Sequence, residues 1–185
     1  MIWEDTKAVA FDFETSGTLP EYALQPWRLP AGDFWTTSIS VIARQGDRLT
    51  PWMSKLFPTV EDMRAFMEAA IANDWLVVTW NGLFDISILI AYGLRDLVFK
   101  VRWIDGLLLW KHLEVDPEYD VDKPRKKSFK LKPDAVNRFI PQFADTTGAD
   151  EVDFHSRDPA ELAKLQHYNN RDSVRTLVIS RMIWD

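Results

Sequence analysis

The segment from Lys7 to Glu14 constrains this chain most. Ala8, Val9, Ala10 and Phe11 form an extended run that is apolar on both faces, and such a strand belongs inside a sheet covered on both sides. Its far end turns acidic. Asp12 and Glu14 lie two apart, so strand alternation sends both carboxylates to one face while Phe11 and Phe13 face the other way into the core. Both acids stand at the carboxyl end of the strand, where open α/β sheets place their ligands. Taken alone, Asp-x-Glu describes a solvated strand end equally well.

The flanking pattern predicts what surrounds that strand. Thr37 to Arg44 and Arg48 to Trp52 read as two further strands joined by Gln45-Gly46-Asp47, giving a three-stranded antiparallel start. Thr59 can cap a helix with Asp62 three residues on, although the capping box prefers Glu or Gln there; Met63, Phe66, Met67, Ala70 and Ile71 follow at helical spacing, and the helix ends near Asn73. Trp75 to Trp80 is short, aromatic and β-branched, hence a buried strand. One helix runs from about Phe84 to Tyr92 and stops at Gly93; another spans Gly106 to Leu113. Asp158 as N-cap, Pro159 at the first helical position and Glu161 in the first turn open a long helix reaching to about Ile183. Strands first, then helices around further strands, predict an α/β protein: a mixed sheet, antiparallel then parallel, flanked by helices.

No repeat, low-complexity tract or interdomain linker interrupts the 185 residues, which predicts one domain over 1–185. With 46% apolar and 27% charged positions, the chain is an ordinary globular one, large enough to bury roughly 70% of its unfolded surface. Cysteine is absent, which excludes disulfides, thiol nucleophiles and zinc–cysteine sites and fits a reducing compartment. Glu4 and Asp5 stand where a secretory signal carries basic residues, and no apolar run approaches ~18 residues. A soluble, cytoplasmic protein with no membrane partner is expected. The net charge of −6 argues against binding nucleic acid through bulk positive charge. A local strip remains open: Lys123, Arg125, Lys126, Lys127, Lys130 and Lys132 crowd one loop, either a solvated connection or a phosphate-contacting surface.

Two further acidic positions stand out. Asn81-Gly82-Leu83-Phe84-Asp85 follows the buried strand directly, placing Asp85 at a helix mouth beside the sheet; Asn81 serving the turn and Asp85 capping the helix are the alternative uses. In the last helix Tyr168 and Asp172 are four apart, about 40° round the axis, so they point together. The same tyrosine is also consistent with a core aromatic. His167 is five residues from Asp172, roughly 140° round, and points elsewhere in a continuous helix. Carboxylates gathered this way repel and raise one another's pKa unless cations neutralise them. Hard oxygen ligands suit Mg²⁺ or Mn²⁺, and two such ions form a known device for cutting phosphodiesters.

These residues resemble the DEDD exonucleases, which degrade nucleic acid from the 3′ end and include the proofreading domains of DNA polymerases. Phe11 to Thr15 is similar to their first motif, Asn81 to Asp85 to the second, and Tyr168 to Asp172 with Thr176 to the third. The tyrosine and the Trp80-Asn81-Gly82 approach most resemble the exonuclease domain of A-family, phage-type polymerases. The resemblance implies a ribonuclease H-like fold and two divalent metal ions. Asp12, Glu14 and Asp172 would hold the first, Asp12 the second, with Asp85 acting largely through water and Tyr168 orienting the attacking water. Main-chain groups around Thr15, Ser16 and Gly17 would hold the terminal nucleotide, Asn81 and Phe84 would line the strand path, and His167 also satisfies the spacing of a histidine subclass. The implied activity is 3′→5′ hydrolysis of single-stranded DNA ends, by a free-standing enzyme or beside a separate polymerase; an RNA-trimming enzyme and a catalytically silent binding or docking module are the alternatives. Lys126 and Lys127 would contact phosphates. Trp27, Phe34 and Trp35 either pack or stack on unpaired bases. Ile104-Asp105-Gly106 matches a segment that in the family usually ends Asp-Thr, leaving Asp105 without a role beyond capping its helix.

Overall fold

The computed structural model describes residues 7–16, 35–45, 48–113, 130–144 and 152–185. Strand β1 (Ala8–Thr15) lies at the centre of a five-stranded sheet. On one side it pairs antiparallel with β2 (Thr36–Gln45), which pairs antiparallel with β3 (Arg48–Leu56); on the other it runs parallel to β4 (Leu76–Thr79), which runs parallel to β5 (Arg102–Asp105). The order β3-β2-β1-β4-β5, with β2 alone reversed, is the ribonuclease H-like mixed sheet.

The helices form where local chemistry asks for them. In α1 (Val60–Ala72) Thr59 and Asp62 complete both halves of the capping box, so aspartate serves where glutamate is usual, and Lys55 Nζ reaches the same carboxylate at 2.7 Å. Helix α2 (Gly82–Ala91) starts two residues ahead of the expected Phe84. It ends in a Schellman turn, with Gly93 at φ 80° and N–H groups of Gly93 and Leu94 returning to the carbonyls of Ile90 and Leu89. A short α3 (Arg95–Val98) leads into β5, and α4 (Gly106–Leu113) follows within its expected bounds. After a π-type turn (Leu131–Ala135) come α5 (Val136–Phe139) and a 3₁₀ turn (Pro141–Phe143). The long α6 (Pro159–Trp184) opens as expected, with the Asp158 carboxylate accepting from the N–H groups of Ala160 and Glu161.

Two apolar layers clasp the sheet. On one face Phe11, Phe13, Ile39 and Val41 pack against Phe66, Met67, Ile88 and Leu89 of α1 and α2, with Phe11 stacked on Phe66 at 4.7 Å. On the other, Ala10, Ile42, Leu76 and Val78 meet Leu177 of α6, and Trp110 of α4 joins Ile179 and Ile183 beneath it. The central strand is thus buried on both sides, as its apolar run requires. Among the described residues no helix is long and apolar enough to cross a membrane.

Candidate active site

Alternation along β1 sets Asp12 and Glu14 on the face that α6 covers, beyond the small side chains of Ala8 and Ala10. Opposite them in β2 stand Ser40, paired with Asp12, and Ser38, paired with Glu14, both fully buried. Small hydroxyl side chains let α6 approach closely, and Ser40 Oγ donates to Asn170 Oδ1 at 2.9 Å.

Helix α6 runs unbroken past this floor and brings Tyr168, Asn169, Asp172 and Arg175 to it. Asn169 Nδ2 donates to Asp12 Oδ2 at 2.8 Å, fixing that carboxylate's orientation. Arg175, buried, donates through Nη1 to Asp172 Oδ1 and through Nη2 to the Phe143 carbonyl, each at 3.0 Å. Tyr168 is half-buried with its ring edge-on to Phe154 at 5.9 Å. His167 is exposed and lines a groove of about 390 Å³ with Ile42, Leu49 and Phe143.

The third contribution comes from the opposite face of the sheet. Of the two structural uses expected of the Asn81–Asp85 turn, one holds: Asn81, exposed, serves the turn in the left-handed conformation (φ 65°, ψ 49°), whereas Asp85 lies inside the helix and does not cap it. Asp85, 2% exposed, accepts the Phe13 N–H at Oδ1 (3.0 Å), so it reaches the end of β1 from beneath. Gly82 is required here, since a Cβ would stand 2.2 Å from Thr79 Oγ1.

Electrostatics tie the three segments together. Burial pushes the Asp12 carboxyl well above the ordinary carboxylate range, and the neighbouring Glu14, Asp85 and Asp172 push it further; the Asn169 amide opposes them. Asp85 is pushed up to about 8, first by burial and also by Asp105, against the pull of the Phe13 N–H. Burial raises the Tyr168 hydroxyl above the usual tyrosine range, with Glu14, Asp172 and Asp12 adding to the shift. It therefore stays neutral and can accept and donate hydrogen bonds.

The donor chemistry fits a hard divalent cation. Every candidate ligand is an oxygen, and Asn169 Oδ1, buried beside Asp12, has no hydrogen-bond partner among the described residues. In the geometry shown, each of three acids is instead held by a protein donor: Asn169, the Phe13 amide or Arg175. Among the described residues no three acidic or histidine side chains are gathered closely enough to hold one ion.

Other expected site residues are placed differently. Ser16 is buried, with its N–H donating to the Trp35 carbonyl (2.9 Å) and its hydroxyl accepting from the Trp35 N–H (3.0 Å). Thr15 is buried at the end of β1, and Phe84 is half-buried against the core beneath α2. Trp35 packs under the Arg157 guanidinium, 5.1 Å from its ring, and against His155. Gly17, Trp27, Phe34, Lys126 and Lys127 lie outside the described residues. Asn169 and Arg175 were not anticipated from sequence. The available signal was polar residues three apart (169, 172, 175) on the buried face of a helix.

No family model matches the sequence, and no curated protein does. Among solved structures, the RNase domain of the yeast Pop2 protein is similar in fold, with 12% identity and a TM-score of 0.45 over 98% of this chain and 78% of that one.

Proposed function

We propose that the protein is a metal-dependent 3′→5′ exonuclease that hydrolyses the terminal phosphodiester of single-stranded DNA and releases nucleoside monophosphates, of the tyrosine-bearing DEDD kind and suited to proofreading beside a polymerase. One observation carries this reading: β1, α2 and α6, far apart in sequence, converge on the end of β1, where Asn169 of α6 holds Asp12 and Asp85 of α2 accepts the next N–H, that of Phe13. Such a gathering of carboxylates costs stability in a purely structural protein, whereas cations would neutralise it.

Asp12, Glu14 and Asp172 would have to draw closer than in the geometry above to hold one divalent ion, with Asp12 holding a second and Asp85 acting through water; Mg²⁺ or Mn²⁺ there would supply the charge neutralisation and Lewis acidity that phosphodiester cleavage needs. The chain's own groups do the positioning. Asn169 holds the Asp12 carboxylate in one orientation, and Arg175 does the same for Asp172. The neutral Tyr168 hydroxyl orients a water by hydrogen bonding and does not act as a phenolate base. Asn81, exposed at the mouth of α2, would line the path of the strand end.

The test compares wild type with Asp12→Ala on a 5′-end-labelled oligodeoxynucleotide, with Mg²⁺, with Mn²⁺ and with chelator. Stepwise shortening by wild type alone, abolished by chelator, is expected, with Asp12→Ala slower by at least about 1,000-fold. Equal degradation by both proteins rejects the mechanism. A matched oligoribonucleotide run in parallel decides the sugar preference.

A further inference from the structure

Asp105 ends β5, and its carboxylate collects four main-chain donors. Oδ1 accepts from the N–H groups of Asn81 (3.1 Å), Leu107 (2.9 Å) and Leu108 (3.4 Å), and Oδ2 accepts from Gly82 (2.9 Å). Each carboxylate oxygen offers about two lone-pair sites, so Oδ1 is shared among three donors while Oδ2 serves Gly82. Leu107 and Leu108 begin α4, and serving them is ordinary work for an aspartate ahead of a helix. Asn81 and Gly82 belong to a different crossover, the turn from β4 into α2 that carries Phe84 and Asp85.

That turn is held from outside. Asn81 takes the left-handed conformation, which asparagine tolerates better than other residues with a Cβ, and caps nothing with its own side chain. The buried Gly82 N–H that opens α2 is therefore capped from β5. Thr79 closes the same corner: its Oγ1 donates to the Ile104 carbonyl (3.4 Å) and fills the space where a Gly82 Cβ would stand.

We infer that Asp105 is a positioning residue for the acid site: by stapling the Asn81–Gly82 turn to the end of β5, it fixes where α2 begins and so where Asp85 meets β1. The purpose of that placement rests on the nuclease reading above; the staple itself is independent of it. With Asp105 serving α4 alone, the start of α2 would be held only by the core packing of Ile88 and Leu89 and by the Asp85–Phe13 bond, and a displacement of about 1 Å at a reacting site costs on the order of 100-fold in rate.

Two full-length variants separate capping from stapling. Asp105→Ser retains an oxygen for the Leu107 and Leu108 N–H groups but is too short to span to Gly82. Asp105→Asn keeps the shape and sets an NH₂ against the Gly82 N–H, and it covers the case in which the serine variant does not fold. Amide exchange and kcat/KM on the labelled oligonucleotide are both measured. The Gly82 amide should exchange about 10-fold faster or more in both variants, and the Asn81 amide, which shares Oδ1 with Leu107 and Leu108, in Asp105→Ser only; Leu107 and Leu108 stay protected, and kcat/KM should fall on the order of 100-fold. Wild-type exchange at Asn81 and Gly82 in both variants, or unchanged kcat/KM with that protection lost, overturns the inference. If wild type cleaves nothing, the nuclease reading falls instead, and exchange at Asn81 and Gly82 alone decides the staple.

Discussion

Replacing Asp85 by Asn should make the protein more stable, and only above acidic pH. Asp85 is 2% exposed, and its carboxyl is pushed up from 3.8 to about 8, chiefly by burial. Between those values the folded protein keeps the proton and the unfolded chain has lost it. The folded state therefore binds more protons, and stability contributed by the neutral acid, complete below pH ~4, drains away as pH rises toward 8. Roughly four units at about 1.4 kcal/mol each set a ceiling on the order of 5 kcal/mol, and relaxation or water entry around the charged form brings this to about 2–3 kcal/mol. Asparagine cannot ionise, yet its Oδ1 can still accept the Phe13 N–H. Removing the Asp85 charge also relieves Asp12, an effect of the same sign. Urea unfolding of both proteins in chelator at pH 4, 6, 7.5 and 9 should show equal stability at the lowest pH and a gap widening to about 2–3 kcal/mol in favour of Asp85→Asn at the highest. A gap that stays constant with pH would refute the reasoning, because a packing difference does not titrate.

Two further outcomes follow from contacts at the same site. Gly82→Ala sets a methyl 2.2 Å from Thr79 Oγ1, so the helix mouth must move; a loss of about 1–3 kcal/mol in thermal unfolding is expected, with a larger fractional loss of exonuclease rate than of stability. Arg175→Met removes the buried guanidinium from Asp172 and from the Phe143 carbonyl, and should cost about 3 kcal/mol in chelator. If the acids gather a cation, millimolar Mg²⁺ should recover part of that loss, read as a larger Mg²⁺-induced rise in Tm for the variant than for wild type.

What the sequence made legible follows from how locally each feature is encoded. The capping box at Thr59, the Asp158-Pro159 start of α6 and the Gly93 stop are set by side chains within one turn of the backbone groups they serve, and all three form. The two-faced burial of β1 was likewise written in its apolar run. Strand β5 was not legible: Arg102-Trp103-Ile104-Asp105 is a half-exposed edge of four residues, too short to show a period. Helix α3 and the turns between Leu131 and Phe143 are short for the same reason, with prolines breaking the latter. At the site, the acids could be singled out by type and order, but their holders could not. The link from Asp105 to Asn81 joins two crossovers, and the one from Asn169 to Asp12 joins the two ends of the chain.

Helix α6 shows why polarity and burial must be considered together. Its buried face carries Leu165, Asn169, Asp172, Ser173, Thr176 and Ser180, spaced as a core stripe is spaced but mostly polar. Small hydroxyls allow close approach: Ser180 Oγ fills the space where a Gly106 Cβ would stand, and Ser173 is fully buried. Such a stripe gains little from apolar burial, so the helix must be anchored elsewhere, through Leu177 on the sheet and Ile179 and Ile183 against Trp110 and Val136. Asp172 thus sits on a segment held from its C-terminal half, opposite the acids of β1. Their separation is fixed by packing remote from the charges, which is the condition for keeping like charges close before any cation neutralises them.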